Sequence, residues 1–185
     1  EAMISFGQGC EGEPSLSYEV ICEAMALIRQ ETKRGVININ TNAGNTKAIG
    51  QLLANGMQSL RVSMFSPIAE EYEAYHRPKN YTFADVVASL ALAKAAGAPA
   101  AINLLAYPGF TDTQARLEKL VELTATYPIR QIQMRNLNCD PRLMLPFCGE
   151  SQAMGMRQFL SELKRLAPNV EIGSYSHDLC GTHQD

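Results

Sequence analysis

The sequence predicts an α/β protein, a partial TIM-like (β/α) barrel of about six parallel strands with outer helices. Short segments rich in β-branched residues alternate with longer amphipathic segments along the 185 residues. This alternation is typical of parallel strands joined by crossover helices, in a barrel or in a doubly wound open sheet. In both architectures ligands bind at the carboxyl ends of the strands, where polar and glycine-rich residues collect in this chain.

The elements follow in a regular order. Strands are predicted at residues 3–6, 36–41, 59–63, 100–105, 129–134 and 170–175. Helices are predicted at residues 14–32, 46–55, 82–96, 113–126 and 156–166. Pro14 suits a first helical turn, Gly56 suits a helix end, and Thr82 with Asp85 matches a capping box. Helical spacing predicts that Leu16, Val20, Ile21 and Met25 lie on one apolar face.

Charge and composition exclude several classes of protein. The net charge of −3 argues against a generally basic surface for nucleic acid. No apolar run approaches the roughly 20 residues that cross a bilayer, and no signal peptide is evident, so a cytoplasmic location is expected. Five widely spaced cysteines form no disulfide framework and no Cys-x2-Cys pair. They are Cys10, Cys22, Cys139, Cys148 and Cys180.

A glycine loop follows the first strand. Gly7, Gly9 and Gly12 match the G-x-G-x-x-G dinucleotide fingerprint, but Glu11 and Glu13 would repel a diphosphate at this helix start. The next strand also ends in asparagines rather than in the acid that would hold a ribose. A carboxylate with free carbonyls suits a cation such as an α-ammonium group. Glu13 could equally be an acid favoured in a first helical turn.

The strand ends resemble those of radical S-adenosylmethionine enzymes. Gly12-Glu13-Pro14 resembles the Gly-Gly-Glu-Pro motif after the family's second strand, although Glu11 stands where the first motif glycine usually lies. Later segments resemble the family in the same order. They are residues 40–42, 61–63, 72–77, 103, 108–112 and 131–136. The resemblance covers nearly the whole chain and identifies it as a single core domain, residues 1–185, of this family.

The resemblance implies roles for the matched residues. The segment Gly12, Glu13 and Pro14 would hold the methionyl ammonium group of S-adenosylmethionine. Ser63 would lie near the ribose or the carboxylate of the cofactor. Five further residues would line the cofactor or the substrate. They are Thr41, Asn42, Asn103, Gln133 and Arg135.

The family's [4Fe–4S] cluster is held by Cys-x3-Cys-x2-Cys after its first strand, and this chain has no such triplet. We therefore expect the first βα unit, with its cysteines, upstream of Glu1. This chain alone is expected to be inactive. The resemblance implies that the intact protein, supplied by an electron donor, cleaves S-adenosylmethionine to a 5′-deoxyadenosyl radical. That radical would abstract hydrogen from a small-molecule or peptide substrate that the sequence does not identify.

Several alternatives stay open. A conventional barrel enzyme without a cluster, such as an aldolase, would need a lysine at a strand end to form a Schiff base. The lysines of this chain fall in predicted helices or turns. A degenerate, non-catalytic binding module is the other alternative. Arg61 could face the site or pair with a surface acid, and His76 is expected on the surface. Residues 177–183 are expected to be a disordered tail rather than a metal site. The exposed edge at residues 3–6 predicts a homodimer.

Overall fold

The computed structural model describes residues 2–7, 12–137, 140–147 and 152–173. Its six strands form one all-parallel sheet in the order β1-β2-β3-β4-β5-β6. Sequential parallel strands joined by right-handed crossovers place the helices on one side of the sheet. The predicted α/β class and partial barrel are confirmed, and within the described residues the sheet stays open.

The element bounds agree closely with the sequence pattern. The strands are β1 Met3–Phe6, β2 Val36–Thr41, β3 Ser59–Met64, β4 Ala100–Ala106, β5 Ile129–Asn136 and β6 Glu171–Gly173. The helices are α1 Tyr18–Glu31, α2 Thr46–Ala54, α3 Ala69–His76, α4 Phe83–Ala95, α5 Gln114–Thr126 and α6 Met156–Leu166. Short 3₁₀ turns lie at Pro14–Ser17 and Pro141–Phe147.

The two faces of the sheet differ in chemistry. Alternate strand residues such as Ile39, Leu60 and Ile102 point towards the helices and are at most 1% exposed. They pack with helix residues such as Leu52 and Leu90 in one hydrophobic core. The residues between them on the strands, which face the opposite side, are mostly polar. Apolar burial against the helices therefore stabilises the sheet from one side, and the inner face is left for polar groups.

The start of α1 corrects one prediction. Ile21 and Met25 are buried as expected, but Leu16 and Val20 are 78% and 65% exposed. Residues Pro14–Ser17 form a 3₁₀ turn, which has three residues per turn rather than 3.6. The apolar face predicted across the whole segment is therefore broken where the α-helix begins.

Helix α3 was not predicted from the sequence. Of its residues only Tyr72 is buried among the core side chains, so the segment has almost no apolar periodicity. His76 was expected on the surface, and that expectation is wrong. Its ring is half-buried and stacks on Tyr72 with ring centroids 4.1 Å apart. Burial lowers the pKa of His76 from 6.5 to about 4.

No helix among the described residues is long and apolar enough to cross a membrane. Of the five cysteines, Cys22 is described; it is half-buried, and burial together with Glu19 raises its pKa. The other four cysteines, Glu11 and the segment 177–183 lie outside the described residues.

Candidate functional site

Polar side chains from neighbouring strands form continuous rows across the inner face. Ser63, Asn103 and Gln133 occupy one register row of β3, β4 and β5. Asn40 and Arg61 share a row nearer the middle of the strands. In-register residues of parallel strands project from the same face, so the sheet brings Ser63, Asn103 and Gln133 together.

The carboxylate of Glu13 ties the loop after β1 to the end of β2. Its Oε1 accepts hydrogen bonds from the Ser15 backbone N–H at 3.0 Å and from the Thr41 hydroxyl. Its Oε2 accepts from the Asn42 backbone N–H at 2.8 Å. Every donor is neutral, and Glu13 forms no ion pair within the described part of the chain. The site thus holds a half-buried carboxylate for which the described residues supply no ion-pair partner.

Two tight backbone contacts shape this corner. A Cβ built on Gly7, which has a φ of +76°, would lie 2.3 Å from the Asn40 carbonyl oxygen, so only glycine fits there. After β2, Ala43 has a φ of +58°, and its N–H donates to the Thr41 hydroxyl at 3.0 Å. The Asn42 side chain accepts from the Gly44 N–H at 2.8 Å. The chain is therefore held in a fixed turn directly beside Glu13.

Below this corner, the asparagines of β2 form a polar network across the first three strands. The Asn38 amide lies 2.7 Å from Ser5 Oγ and 3.0 Å from Ser59 Oγ. Asn40 donates to the Gly7 carbonyl oxygen at 3.3 Å. Because buried amides need partners, these contacts explain how two asparagines are accommodated in the middle of a strand.

Two guanidinium groups belong to the same face. Arg61 is 1% exposed, and burial together with the nearby charge of Arg135 lowers its pKa. Arg135 is exposed at the end of β5 and donates to Gln133 Oε1 at 2.9 Å. The interpretation of Arg61 as part of a surface ion pair is therefore wrong. Both guanidinium groups therefore lie on the β3–β5 side of the inner face.

Asn103 lies between these groups. Its Oδ1 is buried and has no hydrogen-bond partner among the described residues. An unsatisfied buried acceptor is costly unless a ligand or water supplies a donor. Gly12, at the other end of the site, is exposed, and a Cβ built on it would meet nothing within 4 Å. The Oδ1 of Asn103 is thus available to accept a hydrogen bond from a ligand.

A second polar cluster at the strand ends was missed by sequence reasoning. Arg116 of α5 donates to both carboxylate oxygens of Glu71 in α3, at 2.9 and 2.6 Å. Its guanidinium also lies 3.6 Å from the centroid of the Phe110 ring and donates to the Phe110 carbonyl oxygen at 2.6 Å. No local spacing links residues 45 positions apart, so no motif could have predicted this pair.

Comparisons with known proteins bear on the fold. No protein-family model and no curated protein sequence matches the chain. The structure is similar to a domain of a pyruvate-formate lyase-activating enzyme from Bacteroides vulgatus. That match has a TM-score of 0.65 and 11% identity, and covers 93% of this chain and 98% of the other.

Two further solved structures are similar. One is a radical S-adenosylmethionine methyltransferase from Sphaerobacter thermophilus, with a TM-score of 0.60, 18% identity and coverage of 90% and 49% of the two chains. The other is coproporphyrinogen III oxidase from Escherichia coli, a radical S-adenosylmethionine enzyme. That match has a TM-score of 0.59 and 18% identity, and covers 85% of this chain and 38% of the other. The protein has the fold of these enzymes. It spans about half or less of the length of these two.

Proposed function

We propose that this chain forms the S-adenosylmethionine-binding part of a radical S-adenosylmethionine enzyme, with the cofactor at the carboxyl ends of β1–β5. The observation that carries the proposal is the Glu13 corner. A carboxylate held by three neutral donors, with no ion-pair partner among the residues that the structure describes, lies at the edge of a sheet whose inner face carries a row of polar side chains. Such an anion attracts an ammonium group, and the methionyl part of the cofactor carries one.

The residues fit the remaining parts of the cofactor. Gly12, which is exposed, would offer its backbone carbonyl to the ammonium group, and Glu13 fixes the position of that loop. Ser63 and Arg135 present a hydroxyl and a positive charge to a carboxylate or a ribose. Asn103 supplies its unpartnered Oδ1 to a hydroxyl or an amino group of the ligand. Pro14, Thr41, Asn42 and Gln133 hold these groups in place.

The described residues do not supply ligands for the [4Fe–4S] cluster that such enzymes use. When bound with S-adenosylmethionine, a reduced [4Fe–4S] cluster supplies the electron that generates a 5′-deoxyadenosyl radical. Among the described residues, no group of three or more cysteine, histidine, aspartate or glutamate side chains could hold a metal ion. The described residues therefore do not fit a cluster, and we assign them only cofactor binding and orientation.

The test uses the protein encoded by the complete gene, purified without oxygen, reconstituted with iron and sulfide, and reduced with S-adenosylmethionine present. We expect 5′-deoxyadenosine by chromatography. In equilibrium binding measurements, Glu13→Gln and Asn103→Ala should each lower the affinity for S-adenosylmethionine about tenfold. This is the scale of one lost strong hydrogen bond. Glu23→Gln is the matched control because Glu23 is exposed on α1.

Two results would contradict the proposal. One is a protein that takes up a [4Fe–4S] cluster and forms no 5′-deoxyadenosine. The other is a protein that takes up no iron and binds no S-adenosylmethionine. The second result would favour a conventional barrel enzyme or a binding module with a different ligand at the same strand ends.

A further inference from the structure

An apolar surface begins on the inner face of the sheet directly beyond the proposed cofactor site. Leu105 of β4 is in register with Arg135 of β5, one row further along the strands than Asn103 and Gln133. Because side chains alternate along a strand, Leu105 projects from the same face as Asn103. Leu105 is half-buried and packs in a second apolar cluster, separate from the main core. The inner face therefore changes from polar to apolar at its carboxyl end.

The second cluster joins the segments after β3 and β4 to the 3₁₀ turn Pro141–Phe147. Its buried members are Phe65, Phe110 and Met144, each at most 2% exposed. The ring of Phe65 stacks on that of Phe110 with centroids 4.6 Å apart, and its centroid lies 5.2 Å from that of Phe147. These contacts fix the 3₁₀ turn against the strand ends, so the surface of the turn forms a wall beside the inner face.

The accessible side of this cluster is also apolar. Leu143 and Leu145 flank the buried Met144 in the chain and are 65% and 61% exposed. Tyr107 and Leu137, which directly follow β4 and β5, are half-buried in the same cluster. Exposed apolar patches mark binding surfaces and ligand grooves. The residues of this apolar rim are Leu105, Tyr107, Leu137, Leu143 and Leu145.

The position of the apolar rim indicates what occupies it. The rim is continuous with the proposed cofactor site, because Leu105 and Arg135 are register partners. It also lies at the carboxyl ends of the strands, where barrel enzymes bind their substrates. A substrate must touch the cofactor in order to react with it, so the substrate has to lie on a surface that borders the cofactor site. Small-molecule sites commonly combine an apolar wall with a few polar groups that set orientation.

We propose that the apolar rim binds an aliphatic or aromatic group of the substrate, next to the cofactor. The substrate is then a molecule that carries such a group, and not a sugar or a nucleotide. This inference rests on the proposed function, because it names the substrate side of the same site. Leu143 and Leu145 contribute the exposed part of the contact, and Leu105 contributes the part nearest the cofactor.

The test compares two neutral probes of similar size and shape, N-acetyl-leucinamide and N-acetyl-asparaginamide. Their binding to the protein encoded by the complete gene is measured by ligand-observed NMR, without and with S-adenosylmethionine. We expect the leucine probe to bind at least about tenfold more tightly than the asparagine probe, because an apolar wall rewards the burial of an isobutyl group and disfavours an unpaired amide. S-adenosylmethionine should not displace the leucine probe, since the two occupy neighbouring places.

Substitutions locate the binding surface. Leu143→Gln and Leu145→Gln should each lower the affinity for the leucine probe about fivefold, because each removes part of an apolar contact. Both side chains are exposed, so the variants should keep the unfolding midpoint and the affinity for S-adenosylmethionine. Leu27→Gln is the matched control, since Leu27 is 62% exposed on α1, and it should leave the affinity for the probe unchanged.

Three results would overturn the proposal. Neither probe binds, or the two probes bind equally well, which would show that the rim does not select apolar groups. The third is a loss of affinity in Leu27→Gln as large as that in Leu143→Gln, which would show attraction to exposed apolar surface in general. Failure of the proposed function gives a different result: S-adenosylmethionine does not bind, while the leucine probe still binds and still depends on Leu143 and Leu145.

Discussion

Two carboxylates hold loops together at the strand ends, and their charges are balanced differently. Glu71 faces a guanidinium in a paired corner, where the side chains of Arg116 and Glu71 are 7% and 25% exposed. Ser66 adds a further hydrogen bond to Glu71. Within the described part of the chain, the donors to Glu13 are neutral and come from Ser15, Thr41 and Asn42. The paired corner is complete without a ligand, whereas the Glu13 corner retains a charge that a cationic ligand can neutralise.

This difference separates structural from functional roles. Breaking the paired corner should lower stability because it leaves a charge without its partner. Altering the Glu13 corner should change ligand binding more than stability, because its donors are neutral and the loop is also held by backbone geometry. The predictions below test this distinction, from the largest expected effect on stability to the smallest.

Arg116→Met should lower the free energy of unfolding by about 3 kcal/mol, because Glu71 would be left partly buried without a cation. Urea unfolding measures the change. Arg165→Met is the matched control, since its pair with Glu162 is exposed and should contribute little to stability. Equal losses in the two variants would show that Arg116 is not a buried structural partner.

Gly44→Ala should cost about 2 kcal/mol, because the new methyl group overlaps the Tyr81 ring and forces it to move. Thermal unfolding reports the change. Gly173→Ala serves as the control, because a Cβ there would meet nothing within 4 Å. If Gly44→Ala unfolds like the unmodified protein, the ring does not rest on this backbone.

His76 lies between the two corners, since it belongs to the same helix as Glu71 and stacks on Tyr72, whose hydroxyl lies 3.5 Å from the Asn42 carbonyl oxygen. Burial lowers its pKa from 6.5 to about 4, so between these pH values the unfolded chain binds more protons than the folded one. Stability from the neutral imidazole is present above pH 6.5 and falls as the pH approaches 4, by on the order of 1 kcal/mol at pH 5. His76→Phe should flatten that part of the profile in urea unfolding. An unchanged slope would contradict the burial of His76.

Thr41→Val removes a hydroxyl that donates to Glu13 and accepts from the Ala43 N–H. We expect a loss of about 1 kcal/mol in unfolding free energy, together with weaker binding of S-adenosylmethionine. Thr126→Val is the control, because Thr126 is exposed at the end of α5. A Thr41 variant that loses stability and retains full binding of S-adenosylmethionine would show that the Glu13 corner has a structural role, like the paired corner.

The sequence predicted those features that depend on local pattern. Six strands and five of the six described α-helices follow from apolar periodicity and capping residues, and Thr82 with Asp85 forms the expected capping box. Ser63, Asn103 and Gln133 were each predicted near the end of a strand, and in the structure they share one register row. Helix α3 escaped prediction because only Tyr72 marks its buried side.

Contacts between residues far apart in the chain could not be predicted from the sequence. The pairing of Arg116 with Glu71 and the tether from Glu13 to Thr41 join residues that only the sheet order brings together. From the sequence, Glu13 was expected either to bind a cationic ligand or to be an acid favoured in a first helical turn. The structure adds that both of its oxygens already accept hydrogen bonds from the chain, so Glu13 positions the loop as well as contributing charge.

The division between an apolar outer face and a polar inner face has a consequence for how such proteins diversify. Residues such as Ser63, Asn103 and Arg135 lie outside the hydrophobic core that stabilises the sheet. Mutations at these positions can therefore accumulate with little loss of foldability, while the core sequence stays constrained. The same scaffold can acquire a new substrate through a few changes on one side of its strands, and a designer could vary those positions as a library without redesigning the barrel.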